Sequence, residues 1–311
     1  TSRGDEYKDF NDTLAYKEHY SCLKGGGEIS KCNSSINSNG LEFIYQSMAS
    51  LTATFADFQT FKFLIAFIIT FSVVYGVLSL SEGALLSVVL VVLDFRFWEY
   101  FSNVLRLGLA VGLFILGFSL FFHKNFRMAS GIRFFCASTH VSTFLLLLSP
   151  KRKLSYVVIL AYFLFSYTTW SFSEFWLPFV FNNLSVDSKF IYYYNLKDSE
   201  LIQIPVHYMG IVVSSLFFYK KSKNSIYIAI SNILYILFGF GLMFDVIGLS
   251  YRISAIMLPF IVVSVSYQVM YVSRRFKWVH REVFLMASLA VLAAFAYAFH
   301  NNLDAIIMHL Q

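Results

Sequence analysis

Long apolar runs separated by short polar or basic breaks dominate the chain. They cover 61–80, 83–95, 103–122, 129–149, 154–181, 206–219, 224–248, 253–273 and 282–300, of which 83–95 and 206–219 are short. A run of about 20 apolar residues matches the roughly 30 Å hydrocarbon core that a helix crosses. The pattern predicts an all-α polytopic membrane protein with about eight or nine membrane segments. Residues 1–60 break it with polar, mixed-charge sequence. They are predicted to form an extracytoplasmic cap leading into the first span, with 41–60 read as one helix running into it. Residues 61–300 then form the helical bundle with a large outer loop at 182–205, and 301–311 an outer C-terminal tail.

Composition narrows the class. The chain is 58% hydrophobic and 14% charged, with 36 Phe and 20 Tyr, whereas a soluble domain carries about 25% charged residues. The net charge of +6 does not indicate nucleic-acid binding, because half of the 24 Lys and Arg fall in four short clusters. These are Lys124/Arg127, Lys151/Arg152/Lys153, Lys220/Lys221/Lys223 and Arg274/Arg275/Lys277/Arg281, and the positive-inside rule puts all four in the cytoplasm. The stretch 129–149 lies between two of them. A segment that enters from the cytoplasm and returns keeps both clusters inside, breaking near Ala137-Ser138-Thr139-His140; the alternative is an ordinary span at which the rule fails. With the re-entrant reading, Ser81-Glu82 is a tight inner turn, Asp94 to Ser102 an outer loop, and Gly248 to Arg252 a short outer turn.

The N-terminal 60 residues contain Gly25-Gly26-Gly27, the run CNSSINSNG, and Cys22 and Cys32 ten residues apart. In an oxidising outer compartment these two are expected to form a disulfide. Cys136 reads as a packing residue. A chain that starts outside without a preceding span leads to the expectation that a helix ahead of Thr1 was removed or left out.

No P-loop, GxSxG or HExxH motif occurs, and without paired CxxC motifs no metal site is expected. The chemistry-bearing residues are arginines in apolar surroundings. A charge at a helix centre costs roughly 2.5–3.5 kcal/mol on insertion scales, less near the interface. Arg106, Arg133 and Arg252 carry such charges, and the guanidinium fork fits phosphate. For Arg106 and Arg252 the plain alternative is an interfacial anchor that snorkels outward; for Arg133, six residues from Arg127, it is a lipid-headgroup contact. His140, beside Ser138, Thr139 and Ser142, is either a hydrogen-bonded core residue or a site residue. Most aromatic residues read as lipid-facing or packed, with Trp98, Trp170, Trp176 and Trp278 near interfaces. Pro178 and Pro259 are candidate kinks. No internal repeat is evident.

Several of these residues resemble a family. Asn103-Val104-Leu105-Arg106-Leu107-Gly108-Leu109-Ala110 resembles the N-x-x-R-x-x-x-A start of a central helix in EpsG-like polysaccharide polymerases, a branch of the Wzy-type O-antigen and exopolysaccharide polymerases. Cys136-Ala137-Ser138-Thr139-His140-Val141-Ser142 resembles the family's A-x-x-H-x-S element, with the basic loop His123-Lys124-Asn125-Phe126-Arg127 between them. Arg3-Gly4-Asp5-Glu6-Tyr7-Lys8-Asp9-Phe10 is similar to an R-x-x-x-D-x-x-x-Y segment. Glu42-Phe43-Ile44-Tyr45 is similar to an E-P-G-Y element without its Pro and Gly. Leu249-Ser250-Tyr251-Arg252-Ile253 resembles a late arginine at the outer end of a helix.

The resemblance implies a GT-C-like bundle in the bacterial inner membrane whose active site faces the exterior. It implies an inverting, metal-independent glycosyltransferase without a cofactor, which polymerises undecaprenyl-pyrophosphate-linked oligosaccharide repeat units. Arg106, Arg252, Arg3 and Arg96 would hold the substrate's phosphates, and Tyr193 of the Tyr192–Tyr194 run and His207 would contact substrate. Asp5, Glu42 and His140 are the candidate catalytic groups, with Glu99, Glu174, Asp187 and Asp245 as further acidic residues on hand. The implied partners are the lipid-linked oligosaccharide and membrane lipids; a chain-length regulator and the oligomeric state are left open. Two other classes remain as alternatives: a transporter or flippase of a phosphorylated lipid or anion, and a membrane-bound sugar acyltransferase.

Overall fold

The computed structural model describes residues 12–32, 43–102, 105–137, 139, 153–173, 204–243, 249–275, 289, 291–297 and 300. Among these residues the regular secondary structure is entirely helical. Four helices among the described residues are long and apolar enough to cross a membrane: Phe58–Leu80, Leu105–Phe122, Ser225–Met243 and Arg252–Val272. The chain divides into two compact units, one formed by Thr1–Leu147 with Leu289–Gln311, the other by Leu148–Ser288.

In the first unit the described helices are α1 (Asp12–Lys24), α2 (Ile29–Cys32), α3 (Phe43–Ala53), α4 (Phe58–Leu80), α5 (Ala84–Leu93), α6 (Phe95–Ser102), α7 (Leu105–Phe122) and α8 (Phe126–Ala137). Its centre is the pair α4–α7. A Cβ on Gly108 would reach within 3.2 Å of Ile69, one on Gly112 within 3.2 Å of Ser72, and one on Gly76 within 2.9 Å of Ile115. These contacts advance together along both helices, so α4 and α7 run parallel and begin at the same end. Small residues allow this approach, as expected where no water drives association. The hydroxyls of Ser79 and Ser119 hydrogen-bond across the seam. The face of α4 turned inward carries Phe61, Ile65, Ile69, Val73, Val77 and Leu80, all buried at helical spacing. Phe63, Phe67, Phe71 and Tyr75 are exposed on its other side, as suits a lipid-facing surface.

Local chemistry departs from the expected pattern twice. Residues 41–60 were expected as one helix; α3 instead stops at Ala53 and α4 starts at Phe58. The Thr54 hydroxyl donates to the Leu51 carbonyl at 2.7 Å, and the Thr52 hydroxyl donates to that of Met48. Asp57 accepts from the Thr60 N–H at 2.8 Å as the cap of α4. Side-chain bonds of this kind compete with the helical ladder and end or start it. The second departure is 94–102, expected as a loop and found as helix α6. The Asp94 carboxylate accepts from the Arg96 N–H at 2.9 Å and so closes the turn that opens α6, and Trp98 Nε1 donates to the Val92 carbonyl at 2.9 Å.

The turn between α7 and α8 has Lys124 at φ 64°, in the left-handed region, and the Asn125 N–H reaches back to the Leu120 carbonyl at 3.0 Å. That is the usual way a helix ends with its last carbonyls satisfied. Helix α8 ends at Ala137, where a break was expected. The Thr139 hydroxyl donates to the Phe135 carbonyl at 2.7 Å there. Residues 138 and 140–149, on which the re-entrant reading depends, lie outside the described residues.

The second unit holds α9 (Tyr156–Ser171), α10 (Val206–Lys221), α11 (Ser225–Met243) and α12 (Leu249–Arg275). Helix α11 is central and packs on the other three. Gly239 leaves the space into which the Tyr162 ring of α9 fits, and the Tyr162 hydroxyl donates to the Ile236 carbonyl at 3.0 Å. Pro259 lies inside α12, and the helix is assigned without interruption through it; Pro178 is outside the described residues. A neutral polar network ties the unit together. Tyr219 donates to Asn232 Oδ1 at 2.5 Å, Ser215 Oγ to the Tyr235 hydroxyl at 2.9 Å, Ser214 Oγ to Gln268 Oε1 at 2.7 Å, and Gln268 Nε2 to Ser264 Oγ at 3.1 Å. Lys153 closes one end by donating to the carbonyls of Lys220 and Ser222, each at 2.8 Å, a favourable place for a cation.

Candidate functional site

Helix α1 carries a stripe of buried residues: Tyr16, His19, Tyr20 and Leu23. The steps of three and four residues put them on one face. That face covers the common starting end of α4 and α7. Tyr20 stacks on Phe61 at 5.1 Å between ring centroids and tilts against Phe58 at 5.7 Å. Tyr45 of α3 bridges the two layers, meeting Tyr16 at 5.7 Å, His19 at 6.4 Å and Phe61 at 5.6 Å. Aromatic pairs at these separations contribute about 0.5–1.5 kcal/mol each beyond the area they bury. Helices α1 and α3 therefore pack over the bundle end through side chains at 16, 19, 20 and 45.

A covalent tie holds the far end of α1. Cys22 and Cys32 form the expected disulfide, with Cα atoms 5.6 Å apart. Two glycines in the turn between them are required by geometry. Gly26 lies at φ +82°, and a Cβ on Gly27 would stand 2.7 and 2.8 Å from the two sulfurs. A loop of this size is worth about 2–4 kcal/mol by constraining the unfolded chain. Burial raises the pKa of the Tyr20 phenol, and the negative charge of Asp57 adds to the rise. The Thr60 hydrogen bonds hold the Asp57 carboxyl below its usual range.

Arg106 occupies the first turn of α7 and is half-buried. Its Cζ lies 5.5 Å from the centroid of the Tyr16 ring, and its Nε donates to the Tyr16 hydroxyl at 3.4 Å. A guanidinium against an aromatic ring gains about 0.5–2 kcal/mol according to how dry the contact is. The charge singled out by its apolar surroundings thus lies at the cap end, in contact with the cap. Such a group suits an anion with two or more oxygens, because the planar fork matches phosphate geometry.

Arg96, on the preceding helix α6, is held in an ion pair. Arg96 Nη1 and Glu99 Oε2 are 2.8 Å apart, and the two side chains are only 4% and 9% exposed. Asp94 and Tyr100 are buried beside them. Burial raises the Tyr100 phenol well above its usual value, Asp94 and Glu99 raise it further, and Arg96 opposes them. Tyr100 also packs on α7, since a Cβ on Gly108 would fall 2.6 Å from its Cβ. The ion pair therefore lies on the helix whose Tyr100 packs against the first turns of α7.

In the second unit Arg252 occupies the first turn of α12 and is half-buried. His207, near the start of α10, meets the Tyr208 ring edge-on at 4.8 Å. Arg3, Asp5, Glu42, His140 and Tyr193 lie outside the described residues, as do Glu174, Asp187 and Asp245. Tyr16 is the contact that motif reasoning passed over. Its signal was the 16/19/20/23 spacing in DTLAYKEHYSCLK, which predicts a one-sided helix. That Arg106 lies under this face is not encoded in any local pattern.

No curated protein and no solved structure was found to match the chain. A family model described as EpsG family matches residues 4–309, nearly the whole length. The chain belongs to the EpsG family, a family of Wzy-like polymerases.

Proposed function

We propose that this membrane protein polymerises undecaprenyl-pyrophosphate-linked repeat units at the outer face of the bacterial inner membrane, and that Arg106 binds the pyrophosphate. Family membership supports a role in polysaccharide polymerisation, and four apolar helices support a membrane location. The observation that carries the site assignment is the seating of Arg106 against Tyr16 at the cap end. The proposed fold class is GT-C-like.

The chemistry is an inverting displacement. An acceptor hydroxyl attacks the anomeric carbon of the donor glycan, the bond from that carbon to the pyrophosphate oxygen breaks, and the hydroxyl proton passes to a base. Negative charge grows on the departing oxygen, and a fixed cation there lowers the barrier. An arginine supplies that charge at every pH of interest without a metal. Asp5, Glu42 and His140 are the proposed catalytic groups. Arg252, Arg3, Tyr193 and His207 are proposed substrate contacts. Arg96, ion-paired with Glu99, is also a proposed substrate contact.

The test is polymer length in cells carrying Arg106→Ala. Removing one charge-stabilising donor costs on the order of a hundred- to a thousandfold in rate, so single repeat units should remain on the lipid carrier and long chains should vanish. Normal long-chain polysaccharide with wild-type amounts of the Arg106→Ala protein in the membrane would exclude the assignment. Polymerisation by purified protein should persist in EDTA; activity that returns only with added Mg²⁺ would exclude the metal-independent scheme.

A further inference from the structure

We infer that Tyr16 is a positioning residue for Arg106, so that a group on the N-terminal cap sets the geometry of the anion-binding arginine in the membrane bundle. The inference deepens the function proposed above and rests on it.

Arg106 stands at the start of a helix, half-buried. An arginine there has four side-chain torsions and a nearby aqueous interface toward which it snorkels by default. Its orientation must come from a tertiary partner. Tyr16 supplies two constraints of different kind. The ring stands 5.5 Å from Cζ, which holds the charge against the aromatic face. The hydroxyl accepts the Nε hydrogen at 3.4 Å. An arginine binds phosphate either through its Nε/Nη edge or through its Nη1/Nη2 edge. The contact between Nε and Tyr16 therefore fixes how the guanidinium plane is turned. The ring constrains distance and the hydroxyl constrains rotation.

Tyr16 is itself well fixed. Its ring is 2% exposed and rests on Tyr45, which in turn rests on Phe61 of α4. One turn on, Tyr20 stacks on Phe61 and tilts against Phe58. Beyond it the Cys22–Cys32 disulfide ties off α1. The support of the arginine thus runs through packed rings on two cap helices to the same end of α4 that lies beside α7. Groups held this way keep their orientation when a ligand arrives, which is what a preorganised site requires.

The test is a double-mutant cycle read by calorimetric titration of inorganic pyrophosphate into the purified full chain in nanodiscs. Tyr16→Phe keeps the ring and loses the hydroxyl; it should weaken binding about three- to tenfold. Tyr16→Leu also loses the ring and should weaken it by a further factor of about two to five. Arg106→Lys keeps the charge but has no Nε hydrogen for Tyr16 to accept. In that background Tyr16→Phe should cause no further loss, because the interaction it removes is already gone. An intact Cys22–Cys32 bridge and an unchanged unfolding temperature report that each variant is folded, and Tyr16→Phe decides the matter if Tyr16→Leu is not. Equal weakening in both backgrounds would mean that Tyr16 acts only through general packing and would overturn the inference, as would unchanged binding by Tyr16→Phe. Pyrophosphate binding that is absent from the wild type or insensitive to Arg106→Ala would instead overturn the assignment of Arg106, and this inference with it.

Discussion

The two units use their polar residues in opposite ways. The second buries neutral groups and satisfies them with one another: Tyr219 with Asn232, Ser215 with Tyr235, Gln268 with Ser214 and Ser264. Such a network suits an apolar surrounding, because neutral groups that find partners carry little desolvation cost. The first unit keeps charge at its cap end. Arg96 and Glu99 are buried as a pair, and Arg106 is left half-buried against a ring. The difference fits the proposed role of Arg106 in the first unit, while the second unit's network ties helices to one another.

The contrast can be broken from either side. The largest stability effect is expected in the first unit. Glu99→Gln leaves the Arg96 charge without its ion-pair partner in a dry place, and removing one member of a buried pair costs about 3–5 kcal/mol. The unfolding midpoint in detergent should fall accordingly; an unchanged midpoint would mean that the pair does not brace α6 and α7. Next comes Cys22→Ser. Losing the bridge should loosen the cap by about 2–4 kcal/mol, seen as faster amide exchange in α1 and weaker protection of the segment from protease. Exchange in α1 as slow as in the wild type would show that ring packing alone holds the cap.

A smaller loss is expected in the second unit. Tyr219→Phe removes the bond to Asn232, and interhelical hydrogen bonds in membranes average about 0.6 kcal/mol with a maximum of about 1.7. A loss as large as that of Glu99→Gln would erase the distinction between the two units. The smallest effect is at Asp57. Its carboxyl pKa is lowered by the bonds to Thr60, so the cap's contribution is complete above the ordinary carboxylate value of about 4. It fades as pH falls through the lowered value. Protection of the Thr60 amide, relative to its intrinsic exchange rate at each pH, should fall over that acid range in the wild type and be low throughout in Asp57→Ala.

How much of this was legible depended on whether the determining interaction was local. The cores of the spans were legible because apolar length alone specifies a membrane helix: 103–122 became Leu105–Phe122, and 224–248 contains Ser225–Met243. The disulfide was legible from spacing and compartment. The break between Ala53 and Phe58 was missed because it depends on which hydroxyls turn back onto the preceding turn, a choice that composition does not reveal. Helix α6 was missed because its apolar run was read as interrupted by charge. Arg96 and Glu99 are three apart, as a helical ion pair is, but only packing against α7 takes them out of water. The order of the arginine and histidine motifs pointed to the family that the whole-chain match then identified.

By itself the sequence determined the membrane class, the apolar runs that hold the four described spanning helices, the disulfide and the placement of Arg106 at a helix start. All of these follow from interactions within about twenty residues: hydrocarbon burial, backbone satisfaction and loop closure. Only the tertiary structure decided that α4 and α7 run parallel, that Arg96 pairs with Glu99, and that Tyr16 meets Arg106 across 90 residues. Those outcomes depend on the close approach that Gly76, Gly108 and Gly112 permit and on which rings meet once the helices have packed. No local pattern specifies shape complementarity between distant segments.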